Sequence, residues 1–337
     1  MADAAVVGLG RVGSRNDDVA DAEPLSHVGA VLATPGIRLV AMVDSDRHAR
    51  AAAAARWRDA TDAAILASMD DIAPGSVDVV ALCTPTARRA EQVAAALALR
   101  PRVLIVEKPL AADLVAARSL VRRAAAADVT LRVNYNRRFD PATRAFRDWF
   151  SGTPAKAVLR YGKGLHNYAS HMVDLLLDWF GPATAVQALG PAGRGDPNLD
   201  FRCRMAAGFD ALFVGVDGLG YDQFEIELLF PDRRLEYAAG GALRRLWRPR
   251  EDVFYRGYAH VPAEAEETET GRVGGFRELY AAVRDHLNMG APLAGCDGDA
   301  AVAGLAVLDA ALRSARDGGR RRRLRQRRGG ERERRAA

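Results

Sequence analysis

Short apolar segments alternate with alanine-rich segments of helical length through the first 133 residues, and this alternation restricts the chain to few folds. Short continuous apolar runs are typical of strands that are buried on both faces of a parallel sheet. We predict five such strands, at 4–7, 37–43, 77–82, 103–106 and 129–133. Helices are predicted between them, at 26–34, 46–57, 87–99 and 112–127. Right-handed crossovers then give a doubly wound α/β domain over residues 1–133.

The pattern changes after Asn134, where strands follow one another without intervening helices. We predict strands at 156–161, 183–189, 201–206, 211–216 and 224–230, and helices at 141–150, 169–180, 273–289 and 298–316. Successive strands favour an open, mainly antiparallel sheet, so residues 134–318 are predicted to form an α+β domain. The segments 190–200 and 259–272 are predicted to be loops, the second an acidic and solvated one.

Composition indicates an ordinary globular protein. The chain has 337 residues, of which 49% are hydrophobic and 27% charged, and no run of 18 apolar residues predicts a membrane span. The first residues lack the pattern of a secretory signal. Three widely spaced cysteines form no metal or disulfide framework, which favours a reducing cytoplasm.

The net charge of +5 is unevenly distributed. Residues 319–337 contain ten arginines and two glutamates, a net of +8, which leaves −3 for the other 318 residues. This segment has no apolar periodicity and is predicted to be a disordered arginine-rich tail. Because the basic charge is confined to the tail, nucleic acid is not the expected partner of the protein.

The glycine motif Gly8-Leu9-Gly10-Arg11-Val12-Gly13 directly follows the first predicted strand. In that position it predicts a dinucleotide-binding loop: Gly8 permits the tight turn, Gly10 lets the diphosphate approach the backbone, and Gly13 lets helix and strand pack closely. The helix N-terminus would receive the phosphates. The doubly wound domain is therefore predicted to be a Rossmann domain, with Arg11 and Val12 in its cofactor loop.

Asp44 follows the second strand, where an acid can accept hydrogen bonds from the adenosine ribose. This favours NAD(H), although Arg47 and Arg50 leave NADP(H) possible. The spacing from Gly13 is longer than usual, which is explained if Arg15–Glu23 is an insertion before the first helix.

Two further motifs end predicted strands. Cys83-Thr84-Pro85 follows the strand at 77–82, and Glu107-Lys108-Pro109 follows the strand at 103–106. Ligands of open α/β sheets bind beyond the carboxyl ends of the strands. A lysine held there by a proline can hydrogen-bond a substrate oxygen or donate a proton; the alternative is a surface lysine in a turn.

Together with Asn136-Arg137-Arg138-Phe139-Asp140-Pro141 and the helix around His171, these motifs make residues 4–318 resemble the Gfo/Idh/MocA family of NAD(P)-dependent sugar oxidoreductases. The resemblance implies that Thr84, Pro85 and Glu107 lie by the cofactor and that Lys108 contacts the reacting hydroxyl. It also implies a second domain that covers the nicotinamide and often forms an oligomer face.

The resemblance assigns His171 as the residue that exchanges a proton with the substrate. The family usually has an Asp four residues earlier, where this chain has Asn167. Asn167 or Ser170 could cap the helix, and Asp174 is placed one turn after His171 to orient it. The alternative is a core histidine satisfied by Asp174. Tyr161, Lys163 and His166 precede this segment and are predicted to line the sugar site.

The sequence therefore predicts an NAD(P)-dependent dehydrogenase or ketoreductase acting on a secondary alcohol or ketone of a sugar, cyclitol or nucleotide-sugar. The absent Asp leaves a second interpretation, a catalytically lapsed family member that binds dinucleotide as a sensor or regulator. A homo-oligomer formed through the C-terminal sheet is expected. Arg88 and Arg89, which stand where relatives often have a histidine, are predicted either to meet an anion or to face solvent.

Overall fold

The computed structural model describes residues 1–269 and 274–325, and the chain divides into two compact units. The first comprises residues 1–150 and 269–305, and the second comprises residues 151–268 and the segment from residue 306 onwards. The predicted boundary at residue 133 lies earlier, because residues 134–150 stay with the first unit. There the carboxylate of Asp140 accepts a hydrogen bond of 3.2 Å from the N–H of Gly274.

The first unit is built on a seven-stranded sheet, with elements numbered in chain order. Its strands are β1 (Ala2–Val7), β2 (Ile37–Val43), β3 (Ala64–Leu66), β4 (Val79–Leu82), β5 (Val103–Glu107), β6 (Thr130–Asn134) and β17 (Cys296–Asp297). They lie in the order β17-β6-β5-β4-β1-β2-β3. All are parallel except β17, which pairs antiparallel with β6. The five predicted strands are confirmed, while the short strands β3 and β17 were not predicted.

Helices cover both faces of this sheet, as the doubly wound prediction requires. They are α1 (His27–Leu32), α2 (Arg47–Trp57), α3 (Arg89–Ala98), α4 (Leu114–Ala126), α5 (Pro141–Arg147), α7 (Phe276–Met289) and α8 (Gly298–Arg316). Residues of α3, α4 and the start of α8 share one core with the sheet, and residues of α1, α2 and α7 share the other. Adjacent strand residues such as Val79 and Val80 point to opposite cores, which explains why the strands are apolar throughout.

The second unit contains helix α6 (Ser170–Phe180) and a nine-stranded sheet in the order β16-β13-β12-β11-β7-β10-β9-β8-β18. Its strands are β7 (Lys156–Tyr161), β8 (Ala183–Ala188), β9 (Phe201–Met205), β10 (Asp210–Gly215), β11 (Phe224–Phe230), β12 (Arg233–Ala238), β13 (Leu243–Trp247), β16 (Glu266–Glu269) and β18 (Arg322–Arg323). β14 (Arg250–Glu251) and β15 (Ala259–His260) form a separate ribbon. The predicted mainly antiparallel sheet is confirmed, with β7 and β10 as a parallel pair.

One face of this sheet is exposed and carries paired charges. Arg245 on β13 makes ion pairs of 3.0 Å with Glu236 and 2.6 Å with Glu267. The prediction of an unstructured acidic loop at 259–272 is therefore wrong for 266–269, because its glutamates form ion pairs with nearby arginines. It is also wrong for Ala259–His260, which pairs with Arg250–Glu251. Residues 270–273 lie outside the described part of the chain.

The segment after α8 also differs from the prediction. Arg322 and Arg323 pair with Val186 and Ala185 as an edge strand, and the N–H of Leu324 donates to the carbonyl of Thr184 at 2.9 Å. The prediction of disorder from residue 319 is therefore wrong for residues 319–325, because main-chain hydrogen bonds to an open sheet edge do not require an apolar sequence pattern. Residues 326–337 of the predicted tail lie outside the described residues.

Over the described ranges, no helix is both long enough and apolar enough to cross a membrane.

Candidate functional site

The glycine loop between β1 and a helical turn at Arg11–Arg15 has the geometry that its motif predicts. Gly8 has a φ of 92°, and a Cβ there would lie 2.8 Å from Cγ2 of Thr84. A Cβ on Gly13 would overlap the carbonyl oxygen of Gly8. A Cβ on Gly10 would meet nothing within 4 Å. Gly8 and Gly13 are therefore required by packing, whereas Gly10 borders open space in which a diphosphate can approach the main chain.

The helical turn after the loop is short and the first α-helix begins only at His27, in agreement with the predicted insertion. The carboxylate of Asp17 organises the intervening segment by accepting hydrogen bonds from the N–H groups of Leu25 (2.6 Å) and Ser26 (3.0 Å). The indole N–H of Trp57 anchors the turn through the hydroxyl of Ser14 at 3.0 Å. The phosphates would therefore meet a turn of five residues that also contains Arg11 and Val12, rather than a long helix.

Asp44 lies directly after β2 and beside the glycine loop. Its Oδ2 accepts a hydrogen bond of 2.8 Å from the N–H of Leu9, and its Oδ1 accepts one of 2.9 Å from the N–H of Asp46. Each carboxylate oxygen retains lone pairs that can accept from ribose hydroxyls. Arg50 is directed to the carbonyls of Asp44 and Ser45, at 2.7 and 3.0 Å, so its guanidinium helps to shape the turn that holds the acid.

Arg89 joins the carboxyl ends of β4 and β5. It is 2% exposed, and its guanidinium donates to the carbonyls of Thr84 (2.8 Å) and Glu107 (3.0 Å). Arg88 is instead exposed and pairs with Glu91. Of the two alternatives for this arginine pair, Arg88 faces solvent, while Arg89 binds the main chain of both strand-end motifs. Lys108, half-buried, follows Glu107 and precedes a cis peptide bond to Pro109.

The side chain of Glu107 lies at the centre of a buried polar network that the sequence did not indicate. Its Oε1 accepts a hydrogen bond of 2.6 Å from Asn134 and lies 3.1 Å from Nε2 of His27. Nδ1 of His27 is 2.8 Å from the hydroxyl of Tyr280. The available signals were slight: Asn134 directly follows the strand predicted at 129–133, and His27 follows the serine that caps α1.

Charge in this network favours the ionised form of Glu107. Burial by itself raises the pKa of a carboxyl group, but here hydrogen bonding and charge from His27, the amide of Asn134 and the charge of Lys108 hold the pKa of Glu107 below its usual value. Burial, and then the charge of Glu107, raise the pKa of Cys83. Cys83 is therefore kept as a neutral thiol beside the cofactor loop.

In the second unit, His171 lies in the first turn of α6 and is half-buried. The helix is continuous from Ser170 to Phe180, so Asp174, which is 3% exposed, lies one turn after His171 as predicted. Neither Asn167 nor Ser170 caps this helix. The hydroxyl of Ser170 instead donates to the carbonyl of His166 at 2.7 Å, because a π-helical turn at Leu165–Ala169 runs directly into the helix.

The N-terminus of that π-helical turn is capped by Asp196, from the predicted loop at 190–200. Its two carboxylate oxygens accept hydrogen bonds from the N–H groups of His166 (2.7 Å) and Asn167 (3.1 Å). Asp196 was missed by the sequence reasoning because a capping residue distant in sequence leaves no local pattern.

Lys163 and Tyr161 differ in their surroundings. Lys163 is exposed and pairs with Asp222, which also accepts a hydrogen bond of 3.1 Å from the hydroxyl of Tyr168. The hydrogen bond to Asp222 raises the pKa of Lys163. Tyr161 is fully buried and donates its hydroxyl to the carbonyl of Leu199 at 2.7 Å. The prediction that Tyr161 lines a sugar site is therefore corrected: it is a core residue.

A comparison with protein families finds a match for the first part of the chain. Residues 3–135 match the model of the family GFO_IDH_MocA, described as an oxidoreductase family with an NAD-binding Rossmann fold. This match agrees with the family resemblance found in the sequence, over the part of the chain that carries the glycine motif. No curated protein matches the chain in sequence.

Several solved structures share the fold over nearly the whole chain. The WlbA dehydrogenase from Bordetella pertussis, in complex with NADH and UDP-GlcNAcA, is 22% identical with a TM-score of 0.73, covering 97% of this chain and 99% of its own. The UDP-N-acetylglucosamine 3-dehydrogenase GnnA from Acidithiobacillus ferrooxidans is 17% identical with a TM-score of 0.76, covering 94% and 98%. An oxidoreductase from Agrobacterium radiobacter, in complex with NAD+, L-tartaric acid and magnesium, is 16% identical with a TM-score of 0.72, covering 96% and 98%.

Proposed function

We propose that the protein is a dehydrogenase or ketoreductase of CH–OH groups, because residues 3–135 match the model of an oxidoreductase family with an NAD-binding Rossmann fold. Its substrate would be a secondary alcohol or ketone of a sugar, cyclitol or nucleotide-sugar. The observation that carries the proposal is the packing of the glycine loop. A Cβ on Gly8 or Gly13 would meet neighbouring atoms at 3.0 Å or less, whereas a Cβ on Gly10 would meet nothing within 4 Å. An open middle glycine is what a bound diphosphate requires.

The first unit supplies the residues that would hold the dinucleotide. The main chain of the Gly8–Gly13 loop would receive the diphosphate, and Asp44 would accept hydrogen bonds from the adenosine ribose. Thr84, Pro85 and Glu107, at the ends of β4 and β5, would border the nicotinamide half, as ligands lie beyond the carboxyl ends of parallel strands. The carboxylate of Asp44 would repel a 2′-phosphate, so NAD(H) is the preferred form, with Arg47 and Arg50 leaving NADP(H) as the lesser one.

NAD, when bound, supplies a nicotinamide carbon that accepts or gives back a hydride. The residues of the chain would manage the proton that accompanies it. Lys108 would donate a hydrogen bond from its ammonium group to the substrate oxygen, which stabilises the negative charge that develops there. His171 would take the hydroxyl proton onto an imidazole nitrogen in oxidation and return it in reduction. Asp174, buried one turn later, would orient His171.

The substrate class is supported by relatives of the same fold. One is bound to UDP-GlcNAcA, and another is a UDP-N-acetylglucosamine dehydrogenase. The polar side chains of Lys163 and Asn167, which are exposed, and of His166, which is half-buried, are the groups next to α6 that would contact substrate hydroxyls. We further propose that the exposed face of β7, β10 and β11 associates with a second copy of the chain, because half-exposed Val158, Leu212 and Leu229 lie among its charged residues.

The second candidate function is a dinucleotide sensor without turnover, and the observation that favours it is Asn167. An amide in place of the family's carboxylate cannot act as a base. Asp174 is then the carboxylate that would have to orient His171. Both functions require NADH binding, so only turnover separates them.

The test combines NADH binding, followed by nicotinamide fluorescence, with a screen of sugars, cyclitols and nucleotide-sugars for a change in nicotinamide absorbance. Lys108→Ala and His171→Ala are each expected to lower turnover by at least 100-fold while NADH still binds. His260→Ala, at an exposed position on β15, is the matched control. Full turnover by the first two variants would refute the assigned roles, and NADH binding with no active substrate would support the sensor.

A further inference from the structure

Arginines are concentrated on the exposed face of the sheet at its β9–β8–β18 end. Arg202 and Arg204 alternate with buried residues of β9, so both side chains point to the exposed face. Across the sheet, Arg202 is opposite Gln187 and Arg204 is opposite Ala185. Arg323 pairs with Ala185 from the other side. Because strand side chains repeat every two residues, Arg321 shares this face with Arg323. Two arginines thus stand on each side of β8.

The space between these arginines is a shallow depression of about 220 Å³. Arg202, Arg204 and Arg321 line it together with Ala185 and Gln187 of β8. The two flanking strands are separated by two strand spacings, about 9.6 Å, and β8 contributes a methyl group and an amide to the floor. Long guanidinium side chains on opposite walls can therefore converge on one small ligand.

Positive charge in the depression is incompletely balanced. The one carboxylate that lines it is Asp210, whose oxygens lie 3.5 Å from Arg204 and 3.9 Å from Arg202. Arg202 donates a hydrogen bond of 2.9 Å to Gln187. Within residues 1–269 and 274–325, no carboxylate pairs with Arg321 or Arg323. Like charges at this spacing repel one another, and a bound anion would remove the repulsion.

We propose that this depression binds a small anion that carries two phosphate groups, such as a diphosphate or the diphosphate part of a nucleotide. Planar guanidinium groups form paired hydrogen bonds with phosphate oxygens, and such charge-assisted bonds are among the strongest that side chains make. Arg202 and Arg204 on one side of the depression and Arg321 on the other match two linked phosphates better than one. A volume below that of a drug-sized pocket also favours a compact ligand.

The residues that line the depression belong to the second unit, whereas the glycine loop belongs to the first. The arginine-rich segment contributes Arg321, which directly precedes the edge strand β18, to the lining of the depression. The inference does not depend on the proposed oxidoreductase activity.

The test is calorimetric titration of sodium diphosphate into the full chain at low ionic strength, with NADH at saturation to occupy the glycine loop. The wild type is expected to bind one diphosphate. Replacing Arg202→Gln together with Arg321→Gln is expected to weaken binding by at least tenfold, because two charge-assisted contacts are lost. Arg118→Gln with Arg122→Gln removes the same charge from exposed positions of α4 and is expected to leave binding unchanged.

Equal binding by the wild type and the Arg202/Arg321 variant would overturn the proposal, as would equal losses in both double variants, which would indicate net charge alone. Single-stranded DNA binding without diphosphate binding would show a polymer surface instead. If the Arg202/Arg321 variant dissociates an oligomer in size-exclusion chromatography and diphosphate does not bind, the arginines serve a second copy and the proposal is wrong. Absence of NADH binding would refute the proposed dinucleotide site only. Diphosphate binding by the wild type and the two double variants would still decide whether the depression is an anion site.

Discussion

Arg89 donates a hydrogen bond from its guanidinium to the main-chain carbonyl of Glu107, at 3.0 Å. A second hydrogen bond from the same group reaches the carbonyl of Thr84 at 2.8 Å. Burial lowers the pKa of Arg89 and the charge of Glu107 opposes this shift, so the carboxylate helps to keep the guanidinium charged. Arg89 therefore holds the ends of β4 and β5 in one arrangement. Both ends carry residues that are predicted to bind the cofactor, Thr84 and Glu107.

Replacing Arg89→Met is expected to destabilise the protein and to weaken NADH binding. The substitution keeps an unbranched side chain but leaves two carbonyls without their donor, at about 1–3 kcal/mol each. Thermal unfolding and NADH titration measure the two effects. Arg89→Lys, which retains a charge but not the fork of donors, should recover part of the stability. Arg88→Met removes an exposed arginine next to it and should change neither quantity; comparable losses in that variant would contradict the role given to Arg89.

The glycine loop allows a paired prediction. Gly13→Ala is expected to destabilise folding, because its Cβ would overlap the carbonyl of Gly8. Gly10→Ala should fold with stability close to the wild type, since nothing lies within 4 Å of its Cβ, yet it should weaken NADH binding at least tenfold by blocking the approach of the diphosphate. Circular dichroism melts and fluorescence titration separate the two outcomes. A Gly10→Ala variant with wild-type NADH affinity would place the diphosphate elsewhere.

Asp44 is predicted to set the choice between the two dinucleotides. Asp44→Asn keeps an oxygen to accept the N–H of Leu9 but removes the negative charge that disfavours a 2′-phosphate. The ratio of the dissociation constants for NADPH and NADH is expected to fall by about tenfold, which corresponds to about 1.4 kcal/mol. Asp46→Asn, in which the next acid loses its charge, is the control and should leave the ratio nearer the wild type. An unchanged ratio in Asp44→Asn would argue that the carboxylate does not face the ribose.

The elements that the sequence predicted were those whose pattern is local. Continuous apolar runs such as Val103–Val106 have to be buried on both faces, and a glycine motif after a strand restricts the turn that follows. These two signals were enough for the five longer strands of the first unit and for the glycine loop. The arginine-rich strands β12 and β18 were missed because their stability comes from main-chain pairing and from charges on neighbouring strands, which no local pattern reports.

Among the site residues, too, only those in a local motif could be predicted from the sequence. Glu107 and Lys108 were found through a motif, but the groups that hold Glu107 come from distant parts of the chain. His27 and Tyr280 are separated by 253 residues and meet only in the folded unit. Tyr161 was misassigned for a related reason: its place shortly before the His171 segment suggested a site residue. Tyr161 is instead the last residue of β7 and lies on the buried face of that strand, whereas Lys163 lies beyond the strand with a φ of 57°.

The network around Glu107 predicts a specific dependence of stability on pH. The pKa of Glu107 is lower in the folded protein than in the unfolded chain, because the effects of His27, Asn134 and Lys108 together outweigh burial. Its contribution is therefore complete above the unfolded value of about 4.3 and is lost as the pH falls through the lower folded value. Melting temperatures of the wild type and Glu107→Gln should differ at pH 7 and converge toward pH 3. A difference that stays constant with pH would contradict an ionised Glu107.

Asp196 is predicted to support the catalytic segment from a distance. Asp196→Ala removes the acceptor for the N–H groups of His166 and Asn167, and loss of a helix cap costs about 1 kcal/mol. Because the π-helical turn leads directly into the helix that bears His171, turnover should fall more than stability does, with NADH affinity unchanged. Asp196→Asn retains one acceptor oxygen and should recover most of the turnover. Asp200→Ala, which removes a carboxylate that accepts from the N–H of Gly215 at 2.8 Å, is the control for the loss of a carboxylate. Equal turnover in Asp196→Ala and the wild type would show that the position of His171 does not depend on this cap.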